Sequence, residues 1–128
     1  MKKVLVSIMV MVAISTATFA LTPSDYGVFY KLNDKSTFTS VVNYLKADKE
    51  QADYLKLVFN ATADGFKDAA KTGNDKLADN VLDYNLLNTK SVLSEDQYKK
   101  YLVLINLSIN NKSNDLFGKD ILISENSK

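Results

Sequence analysis

The chain has 128 residues, with 16 basic residues against 15 acidic ones and 46% hydrophobic content; it holds no His, no Cys and no Trp, and every basic residue is Lys. Those absences exclude disulfides, the usual zinc, copper and haem ligands, hydrolysis by a His-based triad, and the bidentate grip of an Arg fork on phosphate or carboxylate. No cofactor, no metal and no catalytic residue is expected. A near-neutral charge gives no electrostatic reason to expect nucleic acid or an anionic membrane as partner.

Residues 1–20 read as a secretory signal peptide. Lys2 and Lys3 precede an apolar run from Val4 to Ile14, and Thr18-Phe19-Ala20 offers a small-x-small cleavage site. The run is too short for a membrane anchor. No Cys follows the cleavage point, so the chain does not read as a lipoprotein, and the expected location is a bacterial periplasm or the medium. Residues 21–128 then form one helical domain without membrane insertion. Removing Lys2 and Lys3 from the 16 basic residues leaves 14 against 15 acidic ones, a net charge near −1.

Residues 21–35 are rich in turn formers (Pro23, Gly27, Asn33, Asp34) and read as a lead-in. Phe38, Val41, Val42 and Leu45 follow helical spacing and predict a helix over 37–46, with Ser36 or Thr37 as cap. A second helix is predicted over 48–72, on Ala52, Leu55, Phe59, Phe66 and Ala70, with Gly73 as its stop. A third, over 75–91, carries Leu77, Ala78, Val81, Leu82, Leu86 and Leu87. The fourth, over 94–111, presents Tyr98, Tyr101, Leu102, Ile105 and Ile109 on one face. The pattern of the tail, 112–128, does not choose between a short helix and a strand. The fold class is all-α, as a four-helix antiparallel bundle or two stacked helical hairpins.

Phe38, Leu45, Ala52, Phe59 and Phe66 lie seven apart, which would also suit one continuous rod through the first two helices. Against that, Asp48-Lys49-Glu50-Gln51 reads as a capping box. The Asp side chain accepts the amide hydrogen at the third helical position, and the Gln there reaches back to the cap. Ser94-Glu95-Asp96-Gln97 is a second box, with Leu93 before it. The two lie 46 residues apart, so helix, box, helix, loop, helix, box, helix looks like two copies of one hairpin.

Leu93-Ser94-Glu95-Asp96-Gln97 resembles the LTxxQ motif of the Spy- and CpxP-like periplasmic proteins. Ala47-Asp48-Lys49-Glu50-Gln51 corresponds to a second, degenerate copy. Leu21-Thr22-Pro23-Ser24-Asp25 begins alike but lacks the Gln. The resemblance covers about Thr37 to Asn111 and implies a helical scaffold that holds unfolded envelope proteins or senses envelope stress. Members of that family tend to be basic and rich in Arg, which this chain departs from.

Three other groupings invite chemistry. Asp64/Asp68 and Asp79/Asp83 are i, i+4 carboxylate pairs, but no EF-hand spacing accompanies them and they read as solvated helix faces. Asn85 falls inside the apolar arc of the third helix with Asn88 near it, either an interhelical hydrogen bond or a ligand-binding pair. Val103, Leu104 and Leu107 are expected to point away from the main face of the fourth helix, and Tyr54 and Leu57 to lie off that of the second. These surplus apolar positions suit either docking of the tail or a protein interface. The sequence therefore points to a non-enzymatic exported protein that binds unfolded clients or a signalling partner, or alternatively to a self-associating module, a homodimer.

Overall fold

The structure is a computed structural model that describes residues 21–111; the expected signal peptide (1–20) and the tail (112–128) lie outside the described residues. All regular structure among the described residues is helical. A 3-10 turn at Pro23–Asp25 leads into α1 (Tyr26–Leu32), α2 (Lys35–Leu45), α3 (Lys49–Thr72), α4 (Asp75–Val92) and α5 (Glu95–Asn111). Among the described residues no helix is long and apolar enough to cross a membrane.

The breaks between helices follow from local chemistry. α2 ends because Lys46 adopts the left-handed conformation (φ 57°), which lets the Ala47 amide bond the Val42 carbonyl at 3.0 Å. That closure normally takes glycine, since a Cβ in this conformation costs about 1–2 kcal/mol. The Asp48 box starts α3 only three residues later, so no straight rod runs through this point. α3 stops in the same way at Gly73 (φ 66°), where the Asn74 amide reaches the Ala69 carbonyl. Asn74 then caps α4, its Oδ1 accepting from the Leu77 amide at 2.9 Å.

α3 and α4 run antiparallel along each other. Gly65 lies opposite Val81, Thr62 bonds Asn85, and Gln51 bonds the backbone of Val92. Their closest approach depends on Gly65: a Cβ there would sit 2.7 Å from a Val81 methyl. α3 buries Leu55, Val58, Phe59, Thr62, Ala63, Phe66 and Ala69, a continuous helical stripe. Rings cluster along it. Tyr26 and Phe29 of α1 pack on Phe66 at 4.6 and 5.0 Å, while Phe59 sits between Phe38 at 5.9 Å and Tyr101 at 6.0 Å.

The lead-in departs from expectation. Residues 23–32 are helical and bury Tyr26, Phe29 and Leu32. Pro23 fits a first helical position, where its missing N–H is no loss. The Thr22 amide donates to Asp25 Oδ2 at 2.9 Å, so Leu21–Asp25 does act as a helix start. The cap of α2 is Asp34, not Ser36 or Thr37; Ser36 donates its hydroxyl to Asp34 and Thr37 is buried.

Leu104 corrects a second expectation. It is 0% exposed, because the buried arc of α5 is Tyr101, Leu104, Ile105, Ser108 and Ile109. That is i, i+3, i+4, i+7, i+8 spacing, with the polar Ser108 taking a core position by donating its hydroxyl to the Leu104 carbonyl at 2.7 Å. Leu102, expected on the main face, and Tyr98 are only half-buried.

One polar chain crosses this core. The Tyr101 hydroxyl donates to Asn85 Oδ1, Asn85 Nδ2 donates to Thr62 Oγ1 at 3.0 Å, and the Thr62 hydroxyl donates to the Val58 carbonyl at 2.7 Å. Tyr101, Asn85 and Thr62 are each 0% exposed, so the chain ties α5, α4 and α3 together in a dry environment. Asn88 does not join it, donating instead to the Tyr84 carbonyl. Burial pushes the Tyr101 hydroxyl far above the ordinary value of 10.0, and burial also raises Tyr26, Tyr30, Tyr54, Tyr84 and Tyr98.

The sign of the resulting pH dependence is fixed. Unfolded tyrosines ionise near pH 10, and the folded ones hold their protons above it, so the unfolded state binds fewer protons there. Stability is expected to be complete below pH 10 and to fall as pH rises beyond it. Urea midpoints measured between pH 8 and 11.5 check this, and a flat profile would contradict the burial. Tyr101→Phe, which leaves Asn85 Oδ1 without its donor, is expected to lose about 1–3 kcal/mol at neutral pH.

Candidate functional site

Both capping boxes form, and they form against each other. In the first, the Gln51 amide donates to Asp48 Oδ1 at 2.8 Å, and the Asp48 amide donates to Gln51 Oε1 at 2.9 Å. In the second, the Gln97 amide donates to Ser94 Oγ at 3.2 Å, and the Ser94 amide donates to Gln97 Oε1 at 2.8 Å. Each exchange satisfies the otherwise orphaned first-turn amides of its own helix.

The carboxamide nitrogens are left over by this local arrangement, and they turn across to the other box. Gln51 Nε2 donates to Gln97 Oε1 at 2.8 Å, while Gln97 Nε2 donates back to Gln51 Oε1 at 3.2 Å. Gln51 Nε2 also reaches the Val92 carbonyl at 3.0 Å; Gln97 Nε2 reaches the Leu45 and Lys46 carbonyls at 3.1 and 3.3 Å. Val92 and Lys46 each lie two residues before a cap. The geometry is thus close to two-fold, each glutamine bonding the other and the end of the helix that precedes the other's box.

Around this pair lies an open depression of about 430 Å³, bordered by Leu45, Lys46, Asp48, Ser94, Asp96 and Lys100 together with the two glutamines. Lys100 stands 5.4 Å over the Tyr44 ring, and the Tyr44 hydroxyl donates to the Lys100 carbonyl at 3.5 Å, a second tie between α2 and α5. The chemistry on offer is neutral hydrogen bonding flanked by charges of both signs. Among the described residues no group of three or more acidic side chains is placed to hold a metal ion.

The expected interaction residues are distributed differently. Leu57, Val103 and Leu107 are exposed by 67, 49 and 38%, whereas Leu104 is in the core. Tyr54 is half-buried against the core, close enough to Tyr84 for the two hydroxyls to interact electrostatically. Tyr84, 37% exposed, is a position the periodicity did not single out. Its place in the chain, between Val81/Leu82 and Asn85, offered that signal: it falls outside the i, i+3, i+4 stripe of α4.

The tertiary bonds of the glutamines predict a coupling that local capping lacks. Gln51→Ala and Gln97→Ala are each expected to lower unfolding free energy by about 1–2 kcal/mol, and their double-mutant cycle to show non-additivity of at least about 0.5 kcal/mol. Gln97→Glu keeps the local acceptor and removes both donors; a fully stable Gln97→Glu protein in urea titration would reduce the pair to two independent caps. The chain matches no family model, no curated protein and no solved structure.

Proposed function

We propose that this chain is a non-enzymatic, exported, all-helical protein that binds other polypeptides, in the manner implied by its resemblance to LTxxQ-type periplasmic proteins, as a chaperone or an envelope-stress adaptor. The observation that carries this reading is the reciprocal pairing of the two boxes through Gln51 and Gln97. A repeated motif in which each copy completes the other is the arrangement expected of two equivalent helical hairpins, stacked or merged into an antiparallel bundle. The surface supports binding to protein. Leu57, Tyr84, Val103 and Leu107 expose apolar area to solvent on a molecule of near-neutral charge, which suits apolar polypeptide segments better than charged polymers. No cofactor enters this reading.

The expected outcome is that the purified protein slows aggregation of a reduced or thermally denatured client at near-stoichiometric ratio, followed by light scattering. Absence of any effect across several clients would remove the chaperone role. The exposure of Val103 and Leu107 on one helix also favours a second reading, self-association through α5. Val103→Lys with Leu107→Lys is then expected to convert a dimer into a folded monomer in sedimentation, with α-helical content unchanged because both side chains are exposed. A wild-type chain that sediments as a monomer at all concentrations removes that reading.

A further inference from the structure

The join between α2 and α3 is built from residues that favour the helix it interrupts. From Lys35 to Asp64 the chain has neither Gly nor Pro, and Lys46 and Ala47 are strong helix formers. Lys46 is nevertheless the one non-glycine residue with positive φ among the described residues. Its counterpart after α3 is Gly73, which adopts the left-handed conformation without a Cβ penalty. The strain is specific to the first join.

The two helices also share one apolar stripe. Phe38, Leu45, Ala52, Phe59 and Phe66 form a row seven residues apart, and Val41, Asp48, Leu55, Thr62 and Ala69 form the row three positions on. Both rows run through the join with Asp48 as their only charged member, the pattern of one continuous amphipathic helix. Few bonds hold the break. They are the Asp48–Gln51 box and the donation of Gln97 Nε2 to the Leu45 and Lys46 carbonyls. An unbroken helix would pair those same carbonyls with the amides of Lys49 and Glu50.

On the far side of the join, α1 and α2 form an arm laid on the body made by α3, α4 and α5. Tyr26 and Phe29 pack on Phe66, Phe38 packs on Phe59, and the Tyr44 hydroxyl donates to the Lys100 carbonyl. Tyr26, Phe29, Leu32, Val41 and Leu45 are buried, so an arm released alone would expose all five to water. A second copy with its arm released offers the identical surface. Exchange of arms restores these contacts and relieves the left-handed residue in both chains.

We propose that the Lys46–Asp48 join is a hinge for exchange between two copies of this chain. In the exchanged dimer α2 and α3 fuse into one helix over 35–72, and each arm docks on the body of the other copy. This goes beyond the function proposed above, and it differs from association through α5, in which each arm stays on its own body.

Asn33 and Asn60 give the test its readout. Both are exposed, and the Asn33 amide donates to Asn60 Oδ1 at 3.4 Å between arm and body. Because the chain has no Cys, Asn33→Cys with Asn60→Cys supplies two thiols that a short bis-maleimide can join. The full chain is refolded from urea at high concentration, separated by size exclusion and cross-linked at once. The dimer fraction is expected to run as a covalent dimer in denaturing electrophoresis, and the monomer fraction as a cross-linked monomer. A dimer whose cross-links all lie within single chains overturns the proposal, as does a chain that refolds only to monomer at every concentration. Lys46→Gly is expected to weaken dimerisation by about ten-fold or more, because glycine relieves the closed hinge and disfavours the fused helix. Asp48→Ala, which removes a cap that only the closed form uses, is expected to strengthen it by about ten-fold or more. Variants without these opposite effects overturn the placement of the hinge. Far-UV circular dichroism and a urea midpoint keep each comparison to folded protein. Should the paired substitution fail to fold, dissociation of the wild-type dimer on dilution replaces it: return to monomer at the unfolding rate supports exchange, and return within the mixing time overturns it.

Discussion

A glutamine at the third position of a helix can do two things at once, and this fold uses both. Its carbonyl oxygen accepts the amide hydrogen of the cap, which any capping box achieves, with glutamate as readily as with glutamine. Only the carboxamide has N–H groups left afterwards. Gln51 and Gln97 spend theirs on each other and on the carbonyls of Val92, Leu45 and Lys46, the very groups that a helix leaves unsatisfied at its C-terminal end. Two helix starts and two helix ends are thereby closed by a single pair of side chains. The joins at Lys46–Asp48 and at Leu93–Ser94 can then be short, since their polar groups are satisfied by each other.

That economy matters in a chain with no disulfide. With no covalent staple, uniqueness has to come from packing and from polar groups that tolerate only one arrangement. The aromatic cluster around Phe59 and Phe66 supplies burial, which is largely indifferent to register. The Tyr101–Asn85–Thr62 chain supplies direction. Sliding α4 against α3 by one turn would strand the Asn85 amide in apolar surroundings, and an unmet buried polar group costs about as much as a well-made hydrogen bond stabilises, or more. Gly65 works in the same sense, because only at Val81 does α3 offer α4 a surface without a side chain. The glutamine pair fixes one end of the molecule and the polar chain fixes its middle.

With the interior so defined, the apolar side chains left outside are informative. Four large ones are exposed among the described residues, two of them one turn apart in the uncharged second half of α5. The paired acidic residues lie along helix surfaces, as their spacing suggested, with Asp83 half-buried; burial first and the neighbouring Asp79 second raise its carboxyl above the ordinary value.

The four longer helices, and the starts of α3, α4 and α5, were legible in the sequence. Local rules suffice for these: a cap and its partner three residues on, a 3.6-residue stripe, a glycine in the left-handed conformation, all within one or two turns of chain. Hence the break at Asp48 was legible although a seven-residue repeat ran through it. The short helix α1 was missed: Tyr26, Phe29 and Leu32 keep helical spacing, but the turn formers around them masked a stripe too brief to stand out. What the tertiary structure alone decided was which side of each helix faces inward and which polar groups are allowed there. Leu104 is core and Tyr98 is rim because α5 meets α1, α2 and α4 along the Tyr101–Ser108 arc, with a serine able to satisfy itself on its own helix. Likewise, that position 51 requires Gln instead of Glu depends on acceptors 41 and 46 residues away. Partners so distant in sequence leave no local trace, because a hydrogen bond across the fold constrains a side chain without altering the periodicity around it.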